Sequence, residues 1–202
     1  GANIIKGTEV LEKKILAKNK NINFNKPTVI VNLYNEIFNQ KGTLKALNNI
    51  FSAIKKLKKI NFIFTLPSHE INSEFLNKKI IKMCNKQINC KVYKNLGNIK
   101  YYSLLKYSNL IIGNSSSGIL EAPSFKIYTI NIGSRQFGRI FCKSIINADY
   151  NDKNFLNKIL KFINKKHNYK NPYYKKDTYK RIKSILKKIN LKDLKTKEFI
   201  DI

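Results

Sequence analysis

Short apolar runs of four or five residues recur along this chain, with helix-forming stretches between them, and that alternation limits the fold more than any other feature. The runs are Val29-Ile30-Val31-Asn32-Leu33, Phe62-Ile63-Phe64-Thr65, Cys90-Lys91-Val92-Tyr93, Leu110-Ile111-Ile112-Gly113 and Tyr128-Thr129-Ile130-Asn131-Ile132. Segments this short and this apolar suit strands covered on both faces. Between the first two, Leu44, Leu47, Ile50, Phe51, Ile54 and Leu57 recur at helical spacing and predict a helix over 45–57. Further helices are expected over 72–83, with Asn72 or Ser73 as cap, over 99–107, and from Ser115 onward. Ser144-Ile145-Ile146 adds a possible last strand, and 154–165 and 175–189 read as amphipathic helices. Strands and helices that alternate in this way build an α/β domain: a doubly wound parallel sheet with helices on both faces. Ligands of such sheets bind where the carboxyl ends of the strands pass into loops.

The expected organisation is a polar lead-in over 1–27 with one short helix near Glu9 to Lys18, a sheet domain over 28–170, and a C-terminal helix and tail over 171–202. A length of 202 residues suits one large domain or two small ones. The hydrophobic share of 43% excludes wholesale disorder. No apolar run approaches the roughly 20 residues of a membrane-spanning helix, and the start has no long apolar stretch of a signal peptide. The first residue is Gly1 rather than Met, so the chain is expected to be processed, trimmed or part of something longer. Cys84, Cys90 and Cys142 are odd in number and share no CxxC spacing, which points away from a disulfide framework and from zinc and toward a reducing cytoplasmic setting.

The net charge of +28 raises the question of nucleic acid. Nearly all of that charge is Lys, scattered along the chain, and the three arginines are Arg135, Arg139 and Arg181. Nucleic-acid readers favour the planar fork of Arg, so a solvated basic surface is the better reading. Such a field also draws an anionic substrate toward a cleft.

The stretch Gly113-Asn114-Ser115-Ser116-Ser117-Gly118-Ile119-Leu120-Glu121-Ala122-Pro123-Ser124-Phe125 follows a buried strand and opens a helix. Unpaired amides at a helix start favour an anion such as phosphate. Small residues admit the ligand to the backbone, and the serine hydroxyls add donors. Glu121 lies one turn past Ser117, where both share a helix face. A carboxylate there suits a pair of sugar hydroxyls, as in dinucleotide folds. Plain helix capping also accounts for serines, but three serines, two glycines and a Glu after a buried strand favour a ligand loop. The next loop, Asn131-Ile132-Gly133-Ser134-Arg135-Gln136-Phe137-Gly138-Arg139, flanks the same edge, and Arg135 either meets phosphate or orders the loop by bonding carbonyls. His69 is a loop residue on the ligand side. His167, among lysines, is expected at the surface, and Tyr101 and Tyr102 are expected to pack. No nucleophile–base–acid triad is legible.

These two loops, together with Leu96-Gly97-Asn98-Ile99-Lys100-Tyr101-Tyr102-Ser103-Leu104-Leu105-Lys106-Tyr107, resemble the second half of the UDP-N-acetylglucosamine 2-epimerases, with the hydrolysing branch nearest. The resemblance is specific over roughly residues 96 to 140. It implies a Rossmann-like domain, the C-terminal half of a glycosyltransferase-B-type two-domain fold, with an N-terminal domain missing from this chain. It implies a UDP-sugar substrate, with Ser115, Ser116, Ser117 and Gly118 toward the diphosphate, Glu121 on the ribose hydroxyls and Arg135 on the phosphate side of its loop. The implied reaction eliminates UDP to a glycal and then adds water to give the 2-epimerised free sugar. The resemblance implies no cofactor, no metal and no membrane partner, and it is compatible with a homo-oligomer. The chain departs from the family pattern at Tyr34-Asn35, where His-Pro is usual, and at Pro67-Ser68-His69-Glu70, where Pro-Asn-x-Asp is usual. The carboxylates that move protons belong largely to the absent first domain, so the chain alone is expected to be inactive. A glycosyltransferase of the same architecture, or a basic nucleic-acid-binding module, are the alternatives.

Overall fold

The computed structural model describes residues 22–36, 39–66 and 73–189. The helix expected near Glu9 to Lys18, the loop carrying His69 and the tail after Leu191 lie outside them. The elements are β1 (Thr28–Asn32), α1 (Gln40–Lys56), β2 (Asn61–Thr65), α2 (Ser73–Cys84), β3 (Cys90–Tyr93), α3 (Gly97–Tyr107), β4 (Leu110–Gly113), α4 (Ser116–Leu120), a 3-10 turn (Ala122–Phe125), β5 (Tyr128–Ile132), β6 (Ile145–Ala148), α5 (Phe155–Phe162) and α6 (Thr178–Lys188). The six strands form one parallel sheet in the order β3-β2-β1-β4-β5-β6. Each run of alternating strand and helix moves outward from the centre, first from β1 to β3, then from β4 to β6. The order therefore reverses between β1 and β4, the topological switch point at which doubly wound sheets hold ligands.

Both faces of the four central strands, β2, β1, β4 and β5, are covered, which is why nearly all their residues are buried. Val29, Val31, Phe62, Phe64, Leu110 and Ile112 point to one side, where α1, α2 and α5 pack. Ile30, Ile63 and Ile111 point to the other, under α3 and the 3-10 turn. Phe51 of α1 stacks on Phe64 of β2 with ring centroids 5.4 Å apart. The first helix begins five residues before its expected start because Asn39 caps it, its Oδ1 accepting from the Gly42 amide at 2.9 Å. Conversely α4 stops after five residues, and Pro123 near the start of the 3-10 turn redirects the chain, which ends in left-handed backbone at Lys126 (φ 60°).

Two expectations are corrected. Cys84, at the end of α2, and Cys90, opening β3, are joined as a disulfide with Cα atoms 5.3 Å apart, since the tight turn between them returns the chain beside itself. His167 is not at the surface: it is 5% exposed, with rings of Tyr128 and Tyr169 on its two sides. The Tyr169 amide donates to His167 Nδ1 at 3.2 Å, so the proton sits on Nε2, which donates to the Ile127 carbonyl at 3.2 Å. Burial, with the nearby charges of Lys166 and Lys126, pushes the imidazole below its ordinary value, against the pull of that carbonyl.

Candidate functional site

At the switch point, Asn32 ends β1 beside Gly113, which ends β4. Gly113 has φ +139°, and a Cβ there would stand 2.0 Å from the Asn32 carbonyl oxygen. Only glycine lets the two strand ends meet this closely. Five residues on, Gly118 lies flat on β5: a Cβ would meet the Thr129 methyl at 2.7 Å, and Thr129 Oγ1 donates to the Gly118 carbonyl at 2.8 Å. The two glycines thus pull the serine segment down onto the carboxyl edge of the sheet.

Above that edge lies a cleft of about 320 Å³, bounded by Asn32, Tyr34, Thr65, the loop over 94–98, the start of α3 and the serine segment. Ser115, Ser116, Ser117 and Glu121 all line it. Arg135 and Gly118 do not; Gly118 serves packing, as above, and Arg135 lies behind the cleft wall. A larger hollow of about 1190 Å³ adjoins it at Leu66, Lys94 and Asn95, between the β1 loop and α2. Its acid is Glu74, and Ser115, Ser116 and Ser117 do not line it, so the smaller cleft carries the recognisable chemistry.

Inside the cleft, a polar chain crosses from β1 to α3. Asn32 is buried, with Nδ2 donating to Thr65 Oγ1. Its Oδ1 accepts from the Tyr101 hydroxyl at 3.1 Å. The Tyr101 hydroxyl also lies 2.5 Å from Ser117 Oγ, and Ser117 Oγ donates to Glu121 Oε2 at 2.7 Å. The Tyr102 hydroxyl donates to the other carboxylate oxygen at 3.3 Å. Burial pushes the Tyr101 phenol far above its ordinary value, with Glu121's charge adding to the rise and the Ser117 bond opposing it. The Tyr102 phenol rises too, first through burial, then through Glu121. Both phenols therefore stay protonated near neutral pH and hold the carboxylate facing the cleft. Ser115 is spent on capping, its Oγ accepting from the Ser117 amide at 3.3 Å. Among the described residues nothing bonds the Ser116 hydroxyl, and Ser116 lines the cleft. With a helix of only five residues, the pull on an anion comes from local amides and hydroxyls rather than from a long dipole.

Behind the serines a second network joins three loops. Asn114 is buried; its Oδ1 accepts from the Tyr34 amide at 2.7 Å, and its Nδ2 donates to the Tyr34 carbonyl at 3.0 Å and to Glu36 Oε1 at 3.1 Å. Tyr150 donates to Glu36 Oε2 at 2.6 Å. Arg135 Nη1 and Gln136 Nε2 donate to the Asn114 carbonyl at 3.2 and 2.8 Å. The Arg135 guanidinium lies over the Tyr34 ring, 4.8 Å from its centroid. Of the two roles open to Arg135, this structure displays loop ordering. Tyr34 supplies the face on which Arg135 rests.

Sequence reasoning missed Asn32, Asn114, Glu36 and the hydroxyl of Tyr101. A signal existed for the first: Asn32 is the polar residue that interrupts an otherwise apolar strand. Tyr102 packs as expected, whereas Tyr101 turns its hydroxyl into the cleft.

A six-stranded parallel sheet with a glycine-ended strand at its switch point, a serine segment and a tyrosine-held carboxylate defines an α/β domain of the Rossmann-like kind. The profile of the family described as UDP-N-acetylglucosamine 2-epimerase matches residues 4–187, and the chain belongs to that family. It is 36% identical over 207 residues to the GDP/UDP-N,N'-diacetylbacillosamine 2-epimerase (hydrolyzing) of Campylobacter jejuni, covering 98% of this chain and 53% of that protein. It is 31% identical over 181 residues to the polysialic acid biosynthesis protein P7 of Escherichia coli, covering 86% of this chain and 46% of that one. The chain thus spans about half the length of these relatives. Among solved structures, the Neisseria meningitidis UDP-GlcNAc 2-epimerase bound to UDP-GlcNAc superposes with a TM-score of 0.70 at 17% identity, over 88% of this chain and 49% of that one. The C-terminal domain of a group 1 glycosyl transferase from Francisella tularensis superposes with a TM-score of 0.53 at 11% identity, over 82% of this chain and 89% of that domain. These two are likenesses of fold. No described helix is long and apolar enough to cross a membrane.

Proposed function

We propose that this chain is the UDP-sugar-binding half of a hydrolysing 2-epimerase acting on UDP-N-acetylglucosamine or UDP-N,N'-diacetylbacillosamine in the cytoplasm, for nonulosonic acid and surface-glycan synthesis. The observation that carries this is the cleft in which serines and a carboxylate face the same space at the switch point. Further support is the identity, along nearly the whole chain, to a protein named for that activity. The Ser115 and Ser116 amides and the Ser116 hydroxyl would take the diphosphate. Ser117 would hold Glu121 for the two ribose hydroxyls, Gly118 would seat the segment, and Arg135 would fix the loop beside the phosphates. In the complete protein, elimination of UDP followed by hydration would release the 2-epimerised sugar. The proton-moving carboxylates would come from a first domain, so the chain alone would bind without turnover.

Titration calorimetry of residues 1–202 with UDP is expected to show weak binding; no heat at millimolar UDP would refute the reading. Glu121→Ala should then weaken UDP by about 1–3 kcal/mol, the cost of lost hydrogen bonds to a charged acceptor. Affinity equal to that of the parent would remove Glu121 from the ribose. Product analysis on a two-domain protein, free hexosamine against glycoside, separates the epimerase from a glycosyltransferase.

A further inference from the structure

The Asn114 carbonyl and the Ser115 amide belong to one peptide unit, which is trans. A trans peptide is planar and its N–H points opposite its C=O, so whatever aims that carbonyl also aims that amide. Arg135 and the buried Gln136 both donate to the carbonyl. The Asn114 side chain is held from two further loops. Its amide spends both hydrogens, one on the Tyr34 carbonyl and one on Glu36 Oε1. Glu36 takes its second bond from the Tyr150 hydroxyl, 114 residues away in sequence and just past β6, at 2.6 Å. The Ser134 amide, just past β5, donates to the same hydroxyl at 3.4 Å. Tyr150 reaches this place because Gly133 has no side chain: a Cβ there would stand 2.4 Å from the ring Cζ and 2.5 Å from the hydroxyl oxygen. The Glu36 amide donates to Thr43 Oγ1 at 3.2 Å, which fastens the acid's own backbone to the first turn of α1. Neither Glu36 nor Tyr150 lines the cleft, so any effect they have on a ligand there is carried by Asn114.

We infer that Glu36 and Tyr150 are positioning residues for the anionic end of a nucleotide: held by Tyr150, the Glu36 carboxylate fixes Asn114, and Asn114 fixes the Ser115 amide against the phosphates. The inference rests on the nucleotide reading above and adds to it a pair of residues from the loops after β1 and β6. A carboxylate suits the task, because hydrogen bonds to an ionised acceptor are roughly twice as strong as neutral ones. Both of its oxygens are engaged by Asn114 and Tyr150 behind the serines, which keeps its charge off the phosphate side. The effect is local. The ribose end of the cleft is organised by a separate set of bonds, from Tyr102 and Ser117 to Glu121 and between Tyr101 and Ser117. Loosening the Glu36–Tyr150 tie therefore disturbs the phosphate end and spares the ribose end.

Amide chemical-shift titration of residues 1–202, with UDP and separately with uridine, tests the inference. Tyr150→Phe keeps the ring over Gly133 and removes only the hydroxyl. It should weaken UDP about tenfold, as loss of one hydrogen bond to a charged group does, and leave uridine within about twofold. Glu36→Ala should show the same selectivity. Because the two residues act through one tie, the double variant should weaken UDP no more than Glu36→Ala alone. UDP affinity equal to the parent's in either variant overturns the inference. An equal loss for UDP and uridine also overturns it, since the tie would then support the domain as a whole. Losses that add in the double variant would separate the two residues and overturn it as well. Should Glu36→Ala fail to fold, Tyr150→Phe with the two ligands decides alone. A parent that ignores UDP takes down the nucleotide reading and this inference together; the other failures leave that reading standing.

Discussion

Helices α1 and α6 are written in the same pattern and meet opposite fates. Both carry an apolar stripe at helical spacing and lysines on the other side, and both end in a basic last turn. Eight residues of α1 are buried, Leu47, Ile50, Phe51 and Ile54 among them; in α6 none is. Periodicity tells which face of a helix seeks cover but not whether cover is present. The energetic content of a stripe is set by its neighbours, through the area removed from water.

The sharpest way to break this comparison is to cut the same chemistry from each stripe. Phe51→Ala removes a ring stacked on Phe64 and should cost about 3–5 kcal/mol of unfolding free energy. Ile182→Ser should stay within about 0.5 kcal/mol, as exposed substitutions do. Urea unfolding of residues 1–202 measures both. A large loss at Ile182 would mean that α6 is covered in solution.

The same contrast between local pattern and neighbourhood applies to the backbone. Nothing in the spacing around Gly113 says that it must be glycine; the demand comes from Asn32 on the adjacent strand. Gly113→Ala adds a Cβ to backbone at φ +139°, 2.0 Å from a carbonyl oxygen that cannot swing aside. It should cost about 3 kcal/mol or more and separate the two strand ends at the cleft. A thermal melt superimposable on the parent's would show that the strand ends do not meet as described.

The legible part of the molecule and the hidden part divide along this line. The central strands were readable, because burial on both faces leaves short apolar runs between polar loops, whereas the half-exposed β6 stood only as a possible strand, and the serine segment was readable because small residues and an acid follow a strand directly. What stayed hidden depends on partners far apart in sequence. Tyr101 looked like packing because its hydroxyl partners, Asn32 and Ser117, lie on β1 and α4. Asn114 could be quoted within a motif, but its bonds to Tyr34 and Glu36 span some eighty residues. The early start of α1 was missed because its first turn is polar, and apolar periodicity begins only after it. Cys84 and Cys90 were judged by their count and motif spacing, whereas the turn between α2 and β3 decides their pairing.

His167 lies in the covered part of the C-terminal segment, ahead of buried Asn171 and the bare helix, and its titration offers the mildest test of that cover. Its folded-state value lies below the 6.5 of a free imidazole, because burial and two lysines oppose the charge. Above pH 6.5 both the folded and the unfolded chain hold it neutral, and its contribution to stability is fully present. As pH falls from there through the folded value, the unfolded chain takes up a proton that the folded one resists, and stability is lost. Melting temperature should therefore drop between pH 7 and pH 5, more in the parent than in His167→Gln, whose side chain keeps a donor for the Ile127 carbonyl but does not titrate in this range. Identical pH profiles would place His167 in water and remove its share of the cover over this segment.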